Sequence, residues 1–129
     1  MAFQSASERR SSLLRQAWFE IEELASGVHA ITEPFHAEHV RSHLILGRDR
    51  ALLIDTGMGI GDLRAVVDEL TSLPLTVVNS HTHWDHIGSN WQFDEIAVHR
   101  AEEDRLPLGA PNERVRRAFA EDELNAPLP

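Results

Sequence analysis

The 129-residue chain contains no cysteine, which removes disulfides and thiolate ligands together. Any metal site must therefore be built from His, Asp, Glu or water. Basic charge is also scarce, since 12 basic residues against 21 acidic ones leave a net charge of −9. With no surplus of cations to release counterions from a phosphate backbone, no nucleic-acid partner is expected. No apolar run approaches the ~20 residues of a membrane span, so no membrane partner is expected either. The opening MAFQSASERRSS has no apolar stretch behind its charges, unlike a secretory leader. A cytoplasmic location is the default expectation, and no internal repeat or low-complexity tract stands out.

What the sequence does have is a concentration of imidazole. His81-Thr82-His83-Trp84-Asp85-His86 packs four candidate metal ligands into six residues, just after the apolar run at residues 75–78 and two residues beyond it. Three imidazoles and a carboxylate have no use in a hydrophobic core, whereas Zn²⁺ and Fe²⁺ take these donors readily. The spacing is not HExxH, which places two His on one helical face. It reads as a loop at a strand end, curling so that successive side chains converge on one or two ions.

The rest of the chain reads as a frame for that loop. Chains of ~100 to 200 residues usually make one domain. Residues 1–17 form a flexible or short helical lead-in, and residues 18–129 form the domain. Short alternation predicts strands over residues 18–24 and Val28–Thr32 around a turn at Gly27. Pro34 breaks the pattern, so residues 33–39 are expected to be a solvated polar loop. Strands follow at Arg41–Leu46 and Ala51–Ile54, the second an apolar run expected to be covered on both faces. Asp62 is a candidate N-cap for a helix to about Leu70, whose Leu63, Val66, Val67 and Leu70 share one face. The glycines at 57, 59 and 61 have GxGxG spacing rather than a nucleotide fingerprint, and suit a tight turn. Leu75–Asn79 is the strand that delivers the histidine loop. Residues 88–93 look like a helical turn with inward aromatics, 96–99 a strand, 100–104 a helix start, 107–111 a linker and 112–124 an amphipathic helix. His29 and His99 read as strand residues. A separate site from His36, His39 and His43 is weaker, because His43 sits inside a strand.

Residues 80–90, SHTHWDHIGSN, resemble the HxHxDH signature of the metallo-β-lactamase superfamily, and Leu52-Leu53-Ile54-Asp55-Thr56-Gly57 is similar to the family's strand ending in an Asp-Thr-Gly turn. The likeness runs roughly over residues 18–105. It implies an α+β fold, an αββα sandwich of which this chain supplies about the first half as a mixed sheet with flanking helices. It also implies a metal-dependent hydrolase, in which metal-activated hydroxide attacks an ester, thioester, lactone, lactam or phosphoester of a small-molecule substrate. His81 and His83 would bind one zinc ion, and Asp85 with His86 a second, with iron or manganese as alternatives. Asp85 would double as the catalytic carboxylate that orients the water or carries its proton. Thr82 and Trp84 would pack or hydrogen-bond within the loop, Asp55 would support the ligands from behind, and His36, Glu38 and His39 would lie near the mouth of the site. The family's further ligands fall beyond the signature, where this chain has only His99. Two alternatives follow: a non-catalytic metal-binding half-domain or interaction module, or a dimer that rebuilds the site from two chains. A homo-oligomer covering the open half-sheet is the expected self-association.

Overall fold

The computed structural model describes Ser5 and residues 18–108. Apart from Ser5, the expected lead-in lies outside the described residues, as does the expected helix over residues 112–124.

Six strands form one sheet in chain order: β1 (Glu20–Ala25), β2 (Val28–Thr32), β3 (Arg41–Leu46), β4 (Ala51–Ile54), β5 (Leu75–Asn79) and β6 (Ile96–Val98). Strands β1 to β4 pair antiparallel in succession, and β5 and β6 continue parallel to β4. Parallel neighbours require a crossover. Helix α1 (Leu63–Leu70) provides the first, and the histidine loop provides the second, with α2 (Trp84–Ile87) and a 3-10 turn at Asn90–Gln92. The histidine loop is thus the connection leaving the C-terminal end of a parallel strand, where open sheets leave a crevice.

The register aligns Leu44 with Leu53 and Leu53 with Val77 on one face. Helix α1 lays Leu63, Val66 and Val67 over that face, and each of these six residues is at most 1% exposed. Burial of each such side chain contributes roughly 1.5–3 kcal/mol. Asp62 caps α1 as expected, its Oδ1 accepting from Ala65 N at 3.0 Å. The opposite face is less covered. Ala51 and Leu53 are buried while Leu52 and Ile54 are only half-buried, so the run at β4 is fully covered on the helix-bearing face alone.

Three sequence expectations change. Residues 33–39 are not simply a solvated loop, because Glu33 is 3% and His36 0% exposed. Trp18 Nε1 donates to Glu33 Oε1 at 2.9 Å and Met58 N donates to Glu33 Oε2 at 2.9 Å. A buried carboxylate therefore ties this loop to the turn after β4, while Ala37, Glu38 and His39 stay exposed. Phe93 turns inward as expected, but Trp91 is 78% exposed; three residues per turn superimpose positions 90 and 93 and leave 91 aside. Finally, a 3-10 segment runs Arg100–Leu108, into the start of the expected linker.

Candidate metal centre

Strand β4 ends at Asp55, whose φ of 65° is one of two positive values among the described non-glycine residues. Asp tolerates this left-handed region better than most side chains, and backbone held there concentrates at functional sites. The turn swings the carboxylate under the first residues of the histidine loop. Asp55 is 5% exposed and accepts three hydrogen bonds. Ser80 N donates to Oδ1 at 2.7 Å, Ser80 Oγ donates to Oδ2 at 2.7 Å, and His86 Nδ1 lies 2.8 Å from Oδ2.

This network assigns the imidazole protons. An ionised carboxylate only accepts, so His86 carries its proton on Nδ1. Ser80 Oγ spends its own proton on Asp55, so it accepts from His81 Nδ1, 2.8 Å away. One carboxylate thus holds two imidazoles, His86 directly and His81 through Ser80. In both rings Nε2 is left with its lone pair, the form a metal requires. Burial pushes the Asp55 carboxyl upward, but the bonds from His86 and Ser80 outweigh it and leave the group below its usual range. The His86 imidazole is raised by its bond to Asp55, against the effect of burial, with the charges of Asp85, Asp55 and Glu38 adding to the rise.

The four expected ligands fall together around these rings. The His81 ring centroid lies 4.6 Å from that of His83 and 4.3 Å from that of His86. Asp85 Oδ2 lies 3.7 Å from His86 Nε2. Among the described residues, however, the compact grouping of donor atoms, all within 4.8 Å of one another, is Asp55, His81 and His86. His83 and Asp85 stand at its edge. Asp55 belongs to this grouping, yet both its oxygens already accept hydrogen bonds, which suits support better than ligation. His36, His39 and His43 do not form such a group among the described residues. His99 sits just past β6, its Nδ1 accepting from Ala101 N at 3.1 Å. His29 lies in β2 opposite Leu44, half-buried and with no hydrogen bond to Nδ1.

The flanking residues hold the loop. Thr82 Oγ1 donates to Glu102 Oε2, and that bond is the main reason the Glu102 carboxyl is held below its usual range. The Trp84 ring meets His36 edge-on with centroids 6.2 Å apart. Behind the loop, Gly88 N donates to Gly57 O at 2.8 Å. A Cβ on Gly59 would stand 2.6 Å from Gly88 O. Sequence reasoning missed Ser80, Glu33 and Glu102 as partners of the site. Ser80 adjoins the first histidine and was within reach, whereas Glu102 lies twenty residues from Thr82 and carries no local signal.

The donor set suits a borderline divalent ion: imidazole Nε2 atoms, a carboxylate and an outer acceptor for the rings. Comparison with known proteins gives the family. A family model described as the metallo-beta-lactamase superfamily matches residues 37–123. The acyl-coenzyme A thioesterase MBLAC2 of Bos taurus is 32% identical over 126 residues, covering 87% of this chain and 45% of that protein. Its Gallus gallus counterpart is 36% identical over 109 residues, covering 76% and 39%. The chain thus spans less than half the length of the curated relatives it matches. Among solved structures, the metallo-beta-lactamase from Pontibacter korlensis superposes with a TM-score of 0.58 at 19% identity, over 73% of this chain and 51% of that one. The DIM-1 metallo-beta-lactamase gives 0.56 at 18%, over 70% and 46%. Those likenesses establish the fold, a partial αββα sandwich of which this sheet and its helices are one portion. By the family model over residues 37–123, which takes in the last four strands and the histidine loop, the chain belongs to the metallo-β-lactamase superfamily.

Proposed function

We propose that this chain supplies the first-half ligands of a metal-dependent hydrolase that cleaves thioesters of coenzyme A. The observation that carries the reading is the shared acceptor Asp55, which fixes His81 and His86 with Nε2 available while Asp85 stands 3.7 Å from His86 Nε2. His81 and His83 would hold one zinc ion, and Asp85 with His86 a second. When bound, zinc would polarise the thioester carbonyl and bring the pKa of water down to about 7. The chain's own part is to hold the donors in place, with Asp55 and Ser80 keeping two rings in the right tautomer. Asp85, 14% exposed at its side chain, would orient the attacking water and hold its proton. Water adds to the acyl carbon, the C–S bond breaks, and a carboxylic acid and free coenzyme A thiol leave. The thioester class is favoured by the likeness to acyl-coenzyme A thioesterases.

Elemental analysis of the purified chain, beside a His81→Ala, His83→Ala double variant, tests the metal; thiol release from an acyl-coenzyme A tests the substrate. About one zinc or more per chain, lost in the variant, is expected, and thiol release that depends on the metal would assign the substrate class. Absence of metal from both proteins would overturn the reading. A second reading is favoured by the half-buried Leu52 and Ile54 and by the lack of histidine between His86 and His99. Two chains would then pair to complete the site. Metal-dependent dimerisation would select it, and metal uptake by a monomer without turnover would select a non-catalytic metal-binding half-domain.

A further inference from the structure

His86 is gripped twice. Asp55 holds its ring, and the next residue, Thr56, holds its backbone: Thr56 N donates to His86 O at 2.9 Å. Behind that carbonyl lies a polar cluster outside the ligand set. Thr56 is 1% and Asn79 2% exposed, and both meet Asn90. Thr56 Oγ1 donates to Asn90 Oδ1 at 2.7 Å. Asn79 Nδ2 donates to Asn90 Oδ1 at 3.1 Å and to His86 O at 3.4 Å, and Asn90 Nδ2 returns a bond to Asn79 Oδ1 at 2.7 Å.

The geometry points to Asn90 as a positioning residue for His86, acting through Thr56 and Asn79. Three elements meet in this cluster, namely the turn after β4, the last residue of β5 and the 3-10 turn after α2. Asn90 Oδ1 accepts twice, which is the capacity of a carbonyl oxygen, and the reciprocal amide pair fixes which way each amide faces. A buried polar network of this kind specifies one arrangement when every member is satisfied and costs heavily when one is removed. The sheet therefore sets the position of the His86 backbone, and Asp55 sets its ring.

The test replaces Asn90 by Leu, similar in size and without hydrogen bonds, and Thr56 by Val and by Ser. Two readouts are taken on the whole chain: the His86 tautomer in the metal-free protein by ¹⁵N NMR of the ring, and Zn²⁺ affinity by chelator competition. The inference rests on the metal reading for the second readout only. In N90L and T56V, the expected results are a mixed His86 tautomer and Zn²⁺ affinity lower by about 10-fold or more, the usual effect of losing an outer-shell partner. T56S, which keeps the hydroxyl, should restore both. In a His86→Ala background N90L should lower Zn²⁺ affinity no further. An unchanged tautomer in folded N90L and T56V, failure of T56S to restore it, or an equal affinity loss without His86 would overturn the inference. Should the native chain bind no Zn²⁺, the metal reading fails, and the tautomer still decides the role of Asn90. Should N90L fail to fold, the Thr56 pair decides.

Discussion

Replacing Asp55 by Asn probes the centre of the site without disturbing its backbone. Asn tolerates the left-handed region as well as Asp does, so the φ of 65° costs nothing new. What changes is one acceptor. Asp55 receives protons from Ser80 N, Ser80 Oγ and His86 Nδ1. An amide offers one acceptor oxygen and one donor NH₂, so whichever way it turns, a donor faces a donor. Leaving one such buried group unpaired costs about 1–3 kcal/mol of folding stability. His86 can escape by moving its proton to Nε2, which removes the lone pair a metal needs. Loss of an outer-shell acceptor typically lowers metal affinity about 10- to 100-fold, or about 1.4–2.7 kcal/mol. Chelator competition with Zn²⁺ and thermal unfolding of the metal-free protein read the two effects separately. A Ser80→Ala variant breaks only the link from His81 and should lose less affinity. If D55N binds Zn²⁺ within about twofold of the native chain, well short of the usual outer-shell effect, the shared-acceptor reasoning is wrong. If D55N abolishes binding while S80A leaves it intact, Asp55 is itself a ligand.

Three further outcomes are expected. Gly88 has an ordinary φ of −60° and needs its glycine for space, because a Cβ there would overlap the Met58 and Gly59 backbones. Gly88→Ala should therefore cost about 1–3 kcal/mol in a denaturant titration, and a loss under about half of that would show that the turn gives way freely. Leu53 is 0% exposed between the sheet and α1, so Leu53→Ala should destabilise by about 2–5 kcal/mol; a smaller loss by chemical denaturation would mean that the core collapses around the gap. Burial lifts the Glu33 carboxyl above its usual range against the bonds from Trp18 and Met58, with the Asp85 charge adding to the rise. Its stabilisation is complete below the ordinary carboxylate range and lost as pH rises through the raised value. Glu33→Gln should flatten the pH dependence of stability in that window, and an unchanged slope would remove Glu33 as its source.

Much of the frame was legible because its signals are local. Strands β3, β4 and β5 and the helix capped by Asp62 follow from short apolar runs, a helical repeat of Leu and Val, and one N-cap. Three His and one Asp within residues 81–86 read as a strand-end loop of candidate metal ligands, since no core accommodates them, although the second half of that stretch opens a short helix. Two features were illegible because their causes lie far apart in the chain. Glu33 reads as part of a polar loop until Trp18 and the Met58 amide are seen to bury it, and Trp91 reads as core until the 3-10 turn carries it outward.

By itself, then, the sequence determined most of the elements that form, which residues are candidate metal ligands and which family the chain resembles. Only the tertiary structure decided how those residues are held. Asp55, Ser80, His81 and His86 meet because β4 and β5 lie side by side in parallel. Asn90 reaches Thr56 and Asn79, which hold the His86 backbone, because the turn after α2 folds back onto the ends of both strands. Hydrogen bonds between residues up to 34 positions apart leave no periodicity in a sequence, since the sheet register alone brings their partners within reach.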